Sequence, residues 1–125
     1  MLHCFAAQLC AADVSSAITV TPAPIAYDGK IQEYVQTITL TNTSRRPITG
    51  PLYLLFKNLP QGVFPANEGT GVSICMAPDT PLIKVPLPTP TLPPGGTATR
   101  KVHFFDASMI PISYTTTVLA GKLAP

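Results

Sequence analysis

Residues Tyr34-Val35-Gln36-Thr37-Ile38-Thr39-Leu40-Thr41-Asn42 change character at every step. Tyr34, Gln36, Ile38 and Leu40 fall in one row, and Val35, Thr37, Thr39 and Thr41 in the other. An extended chain sends successive side chains to opposite faces, so this row structure predicts a strand with one buried face. Several such segments follow one another, each bounded by Pro or Gly. One apolar face per strand must be covered, and two stacked sheets cover it.

The chain has 125 residues, which predicts one domain large enough for its own core. Only 11% of residues are charged, against about 25% in typical globular chains. Ser and Thr hydroxyls must therefore wet much of the surface. The 15 prolines and 8 glycines lie between the apolar runs, where they break strands without dissolving the fold.

The strands read in order as follows. Ala17–Val20 begins a first strand, Thr21–Pro24 interrupts it at a sheet edge, and Ile25–Tyr27 resumes it. Asp28-Gly29 is a turn. Glu33–Asn42 is the second strand. Leu52–Lys57, the most apolar run, is placed centrally. Phe64–Gly71 reads as a loop, Val72–Met76 as a short strand, and Leu82–Leu87 as an edge strand. Pro88–Gly96 reads as a connector. Thr97–Phe105 is a long strand with Ala98, Val102 and Phe104 on one face and Thr99, Lys101, His103 and Phe105 on the other. Ile112–Leu119 closes the sheet and Gly121 ends it.

Two stretches carry a resemblance. One is Tyr34–Ser44 followed by Pro47-Ile48-Thr49-Gly50-Pro51-Leu52-Tyr53-Leu54. The other is Leu92-Pro93-Pro94-Gly95-Gly96-Thr97, leading to Val102-His103-Phe104 and Ile112-Ser113-Tyr114. Together they resemble the immunoglobulin-like, fibronectin type III-like accessory modules of secreted bacterial proteins. The resemblance covers residues 18–121 and implies an all-β, two-sheet antiparallel sandwich of about seven strands. It also implies an accessory or spacer role. The Cys…Trp…Cys core of antibody domains is absent, because the chain has no Trp.

Residues 1–12 are expected to be a signal peptide, or else a truncated linker, ahead of a sandwich domain over 13–125. Leu2–Ala12 is apolar apart from His3 and Gln8, and Cys10-Ala11-Ala12 offers small residues at a cleavage point. Secretion, the periplasm or the cell surface is the expected location. Cys4 and Cys10 would leave with the leader, and Cys75 would remain as a buried thiol. No run approaches the roughly 18 apolar residues of a membrane span.

The polar inventory argues against an enzyme. His103 is the only imidazole beyond the presumed leader, and Asp106, three residues on, points to the opposite face of a strand. Ser108 and Ser113 lack a nucleophile elbow. Asp28 and Asp79 sit in loops without calcium-loop spacing. The net charge of +2, with basic doublets only at Arg45-Arg46 and Arg100-Lys101, excludes a nucleic-acid footprint. No cofactor or metal is expected. Asn42-Thr43-Ser44 matches a glycosylation sequon, which a strand-end cap explains without sugar.

The expected function is that of a non-enzymatic exported spacer, adhesion or interaction domain, with other domains, cell-surface proteins or glycans as partners. Tyr27, Tyr53, Phe64, Arg45 and Arg46 are the candidate surface residues, and the loops at 43–50, 64–71 and 106–111 the candidate contact regions. A carbohydrate-binding module is the alternative, favoured by an exposed aromatic platform and disfavoured by buried tyrosines. A C-terminal fragment of a larger secreted enzyme is the other alternative.

Overall fold

The computed structural model describes residues 12–66, 71–72, 80–87, 89–106 and 109–121. It is an antiparallel all-β sandwich. The strand segments are β1 (Ala12–Asp13), β2 (Ile18–Pro22), β3 (Ala26–Asp28), β4 (Glu33–Asn42), β5 (Ile48–Thr49), β6 (Leu52–Lys57), β7 (Val63–Pro65), β8 (Gly71–Val72), β9 (Pro81–Val85), β10 (Thr91–Leu92), β11 (Thr97–Asp106) and β12 (Thr115–Ala120). One sheet has the order β2-β4-β11-β7, with β3 also on β4. The other has the order β1-β12-β6-β9-β8, and β5 and β10 form a two-stranded ribbon. The first expected run is cut at its prolines into β2 and β3, whereas β1, β5, β7 and β10 lie outside the expected strands.

Periodicity places the core. On β4, Gln36, Ile38, Leu40 and Asn42 are buried, while Val35, Thr37, Thr39 and Thr41 face outward. On β11, Ala98, Val102, Phe104 and Asp106 are buried. Opposite them, β6 contributes Leu52, Leu54 and Phe56, β9 contributes Ile83 and Val85, and β12 contributes Val118 and Ala120. Phe56 and Phe104 meet across the sandwich edge to face, with centroids 5.8 Å apart. Tyr114 packs against both rings, at 5.1 and 5.6 Å. Each such large apolar side chain contributes about 1.5–3 kcal/mol through burial.

The first strand is broken where the prolines predict. β2 and β3 both pair with β4, leaving Ala23–Ile25 between them. The Ala23 N–H donates to Thr37 O at 2.8 Å, and Gln36 Nε2 donates to Ala23 O at 2.7 Å. A buried glutamine thus satisfies the backbone that the break exposes. The Tyr114 hydroxyl donates to the same Gln36 side chain. β6 lies in the middle of its sheet, as its apolarity predicts.

Three expectations need correction. Val63–Pro65, within and beside the stretch read as a loop, is strand β7 in register with Phe104, Phe105 and Asp106. Thr91–Leu92, inside the Pro-rich connector, pairs with Ile48–Thr49, and its Leu92 is buried in the core. β9 is not wholly an edge strand, because β8 pairs with Pro81 and Leu82. Of the strand expected at Val72–Met76, Val72 belongs to β8 and the remainder lies outside the described residues. Cys4, Cys10 and Cys75 also lie outside them, as does the expected leader up to Ala11.

One side chain ties the end of β4 to the following turn and to β10. Asn42 is fully buried, and its Nδ2 donates to Arg46 O at 2.8 Å and to Leu92 O at 2.9 Å. Its Oδ1 accepts from the Ser44 N–H and from Ser44 Oγ. The sequon asparagine is therefore the expected strand-end cap, with its amide committed inside the protein. The following Pro93–Gly96 turn carries Gly96 N–H to Pro93 O at 2.8 Å, with Gly95 at φ +76°. Pro at the second position and a left-handed Gly at the third are the residues that a type II turn requires.

Candidate interaction surface

Exposed aromatic side chains on rigid strands gather at one end of the sandwich. Phe104 and Phe105 are neighbours on β11, so alternation sends one inward and the other out. Phe105 lies opposite Phe64 of β7 in register. Their rings stack with centroids 5.2 Å apart and planes 30° apart. Phe64 is 49% exposed and Phe105 40%, so the pair presents an apolar plate to solvent. Tyr27 of β3 faces Tyr34 of β4 in register, edge to face at 5.0 Å, and is 55% exposed.

A pocket of about 250 Å³ lies beside these rings, lined by Tyr27, Gln32, Tyr34, Phe105, Asp106 and Met109. Gln32 and Met109 both have left-handed backbone, with φ 57° and 55°. Met109 is 73% exposed. Asp106 is buried, only 6% exposed. Its Oδ1 accepts from the Ile110 N–H at 3.2 Å, while its Oδ2 is enclosed and has no hydrogen-bond partner.

The five candidate residues do not form one site. Tyr27 and Phe64 belong to the aromatic end. Tyr53 sits on the outer face of the other sheet, partly buried against Leu55, Leu82 and Leu119, and so has a packing role. Arg45 and Arg46 are exposed in the turn beyond Asn42, at the opposite end of the ten-residue β4. That separation is roughly 30 Å at the rise of an extended strand. Arg100 and Lys101 do not make a patch either, because they occupy alternate faces of β11. Arg100 is half-buried with its Nε enclosed, while Lys101 is exposed.

Asp106 and Met109 fall in the loop expected as a contact region at 106–111, whereas Gln32, Tyr34 and Phe105 are not among the expected surface-site residues. An available signal was the Phe-Phe doublet in an alternating strand, which forces one large ring onto the wet face. No comparable signal marked Asp106, whose burial depends on the turn that follows it. His103 lies on the outer face, as expected, with its Nδ1 3.3 Å from Glu33 Oε1. Asp106 is on the opposite face, also as expected. Among the described residues, no three His, Cys, Asp or Glu side chains gather into a metal site. Nor is any helix among them long and apolar enough to cross a membrane.

No protein-family model matches the chain, and no curated protein matches it in sequence.

Proposed function

We propose that this chain is a non-enzymatic exported module of the immunoglobulin-like, fibronectin type III-like kind, which binds a cell-surface partner through its aromatic end. The observation that carries the reading is the stacked, half-exposed Phe64–Phe105 pair on adjacent strands. Aromatic side chains supply large contact areas at low conformational cost and are enriched where proteins bind others. Here they stand on hydrogen-bonded strands, so little ordering is needed when a partner arrives. The single imidazole of the described residues faces away from the buried Asp106 carboxylate, which fits binding better than acid–base chemistry.

A glycan partner is the second reading, and the same exposed rings favour it. Flat apolar faces at Phe64, Phe105 and Tyr27 suit the C–H faces of sugar rings. Tyr53, packed against leucines, contributes nothing to it.

The test is retention on intact bacterial cells, comparing the wild type with Phe64→Ser/Phe105→Ser. Loss of at least tenfold in retained protein is expected, and soluble oligosaccharide competes only if the partner is a glycan. Equal retention of the two proteins, or none of either, removes the interaction reading and leaves a spacer.

A further inference from the structure

We infer that the pocket beside the aromatic end is a site for a primary alkylammonium group, supplied by a lysine side chain of the partner polypeptide. The inference rests on the interaction reading above and names the chemistry of the group that the surface receives.

Asp106 is only 6% exposed. A carboxylate buried to this degree is costly unless its oxygens are paired. One oxygen is paired, with the Ile110 N–H, and the other is not. Among the described residues, no basic side chain lines the pocket. A single unsatisfied acceptor suits a compact point-charge donor better than a planar guanidinium, whose fork is matched to both oxygens of a free carboxylate.

The walls fit the rest of such a ligand. Tyr27 and Tyr34 line the pocket, and aromatic rings attract a cation. Phe105 and Met109 offer apolar surface to a hydrocarbon stem. The volume of about 250 Å³ holds roughly eight waters at about 30 Å³ each, which is side-chain sized. Asp106 Oδ2 is enclosed in the unliganded protein, so binding requires side chains at the rim, where the unbranched Met109 is exposed, to shift.

The experiment titrates the whole protein with n-butylammonium chloride and follows Tyr27 and Tyr34 by NMR. Saturable binding in the millimolar range is expected, with n-butanol at least tenfold weaker. Asp106→Asn keeps an acceptor for Ile110 and replaces the free oxygen by a donor, so it should lose at least tenfold in affinity. Tyr27→Ala, at an exposed position, should lose two- to fivefold while folding normally. No saturation by 100 mM butylammonium, equal binding of butanol, or unchanged affinity in both variants overturns the site. N-acetyl-lysine N-methylamide binding as well as butylammonium supports a polypeptide donor; binding tenfold weaker overturns that part in favour of a free amine. Cell retention does not depend on butylammonium, so failure here with retention intact refutes this site alone.

Discussion

The side-chain amide of Asn42 donates to the carbonyl of Leu92, fifty residues away in sequence and 2.9 Å away in space. This contact joins the end of β4 to the β5–β10 ribbon. The same nitrogen also holds Arg46 O, so one residue satisfies two carbonyls at the sandwich end. Removing it by Asn42→Ala takes this donor from the buried Leu92 O, while Arg46 O keeps the Ser44 hydroxyl at 3.0 Å. An unsatisfied buried group costs about 1–3 kcal/mol, so a loss in that range is expected. Asn42→Asp should do no better, because a carboxylate cannot donate. Urea unfolding measures both, and a loss below 1 kcal/mol for each would show that the amide is not a structural tie.

Phe104 and Phe105 predict opposite outcomes for the same change. Phe104 is fully buried between the sheets, so Phe104→Ala should cost about 3–5 kcal/mol. Phe105 loses only its stacked partner Phe64 and part of an exposed surface, so Phe105→Ala should cost about 0.5–1.5 kcal/mol. Thermal melts of the two variants decide the matter. Similar losses would contradict the assignment of faces.

The glycines divide in the same way. Gly95 has φ +76°, so Gly95→Ala should destabilise by about 1 kcal/mol although nothing crowds the new methyl. Gly96→Ala should cost more, because its Cβ would meet Pro93 at 2.9 Å. At Gly29 the Cβ has ordinary contact with Tyr27 at 3.7 Å and φ lies outside the left-handed region, so Gly29→Ala should be neutral or slightly stabilising. Chemical denaturation should give that order, and a reversal between Gly29 and Gly96 would refute it.

Burial pushes the Tyr114 phenol up to about 12 from 10.0. The unfolded chain gives up that proton near pH 10, and the folded protein holds it until about pH 12. Between those values the unfolded state binds fewer protons, so stability falls as pH rises. The contribution is whole below pH 10 and lost above pH 12. Partial exposure of the ring and solvent screening make the slope shallower than full linkage. Tyr114→Phe should lose about 1 kcal/mol at neutral pH, with Gln36 left short of a donor, and should lack this part of the alkaline slope. Parallel stability curves for the two proteins from pH 9 to 12 would rule the assignment out.

Much of the fold was legible because one face of β4 and β11 is buried and the other is not. Period-two alternation records that asymmetry directly in Ile38, Leu40, Val102 and Phe104. The prolines at 22 and 24 and the Asp28-Gly29 turn marked the split edge strand in the same local way. Where both faces of a sheet are covered, the record disappears. Leu55, Leu82 and Leu119 are buried on the outer face of their sheet, so β6 reads as an unbroken apolar run with no sidedness. β7 was hidden for another reason: three residues are too few for a period, and only pairing with β11 makes them a strand.

The surface follows the same rule. Local chemistry alone determined that Thr-rich rows face water, that Pro93–Gly96 turns, and that Phe104 and Phe105 part company. Tertiary structure alone decided that Phe64 meets Phe105, that Tyr27 and Tyr34 flank a buried Asp106, and that Arg45 and Arg46 stand at the far end. Backbone sterics and side-chain alternation act between neighbours in sequence. Cross-strand register and the closing of a pocket depend on residues that only folding brings together.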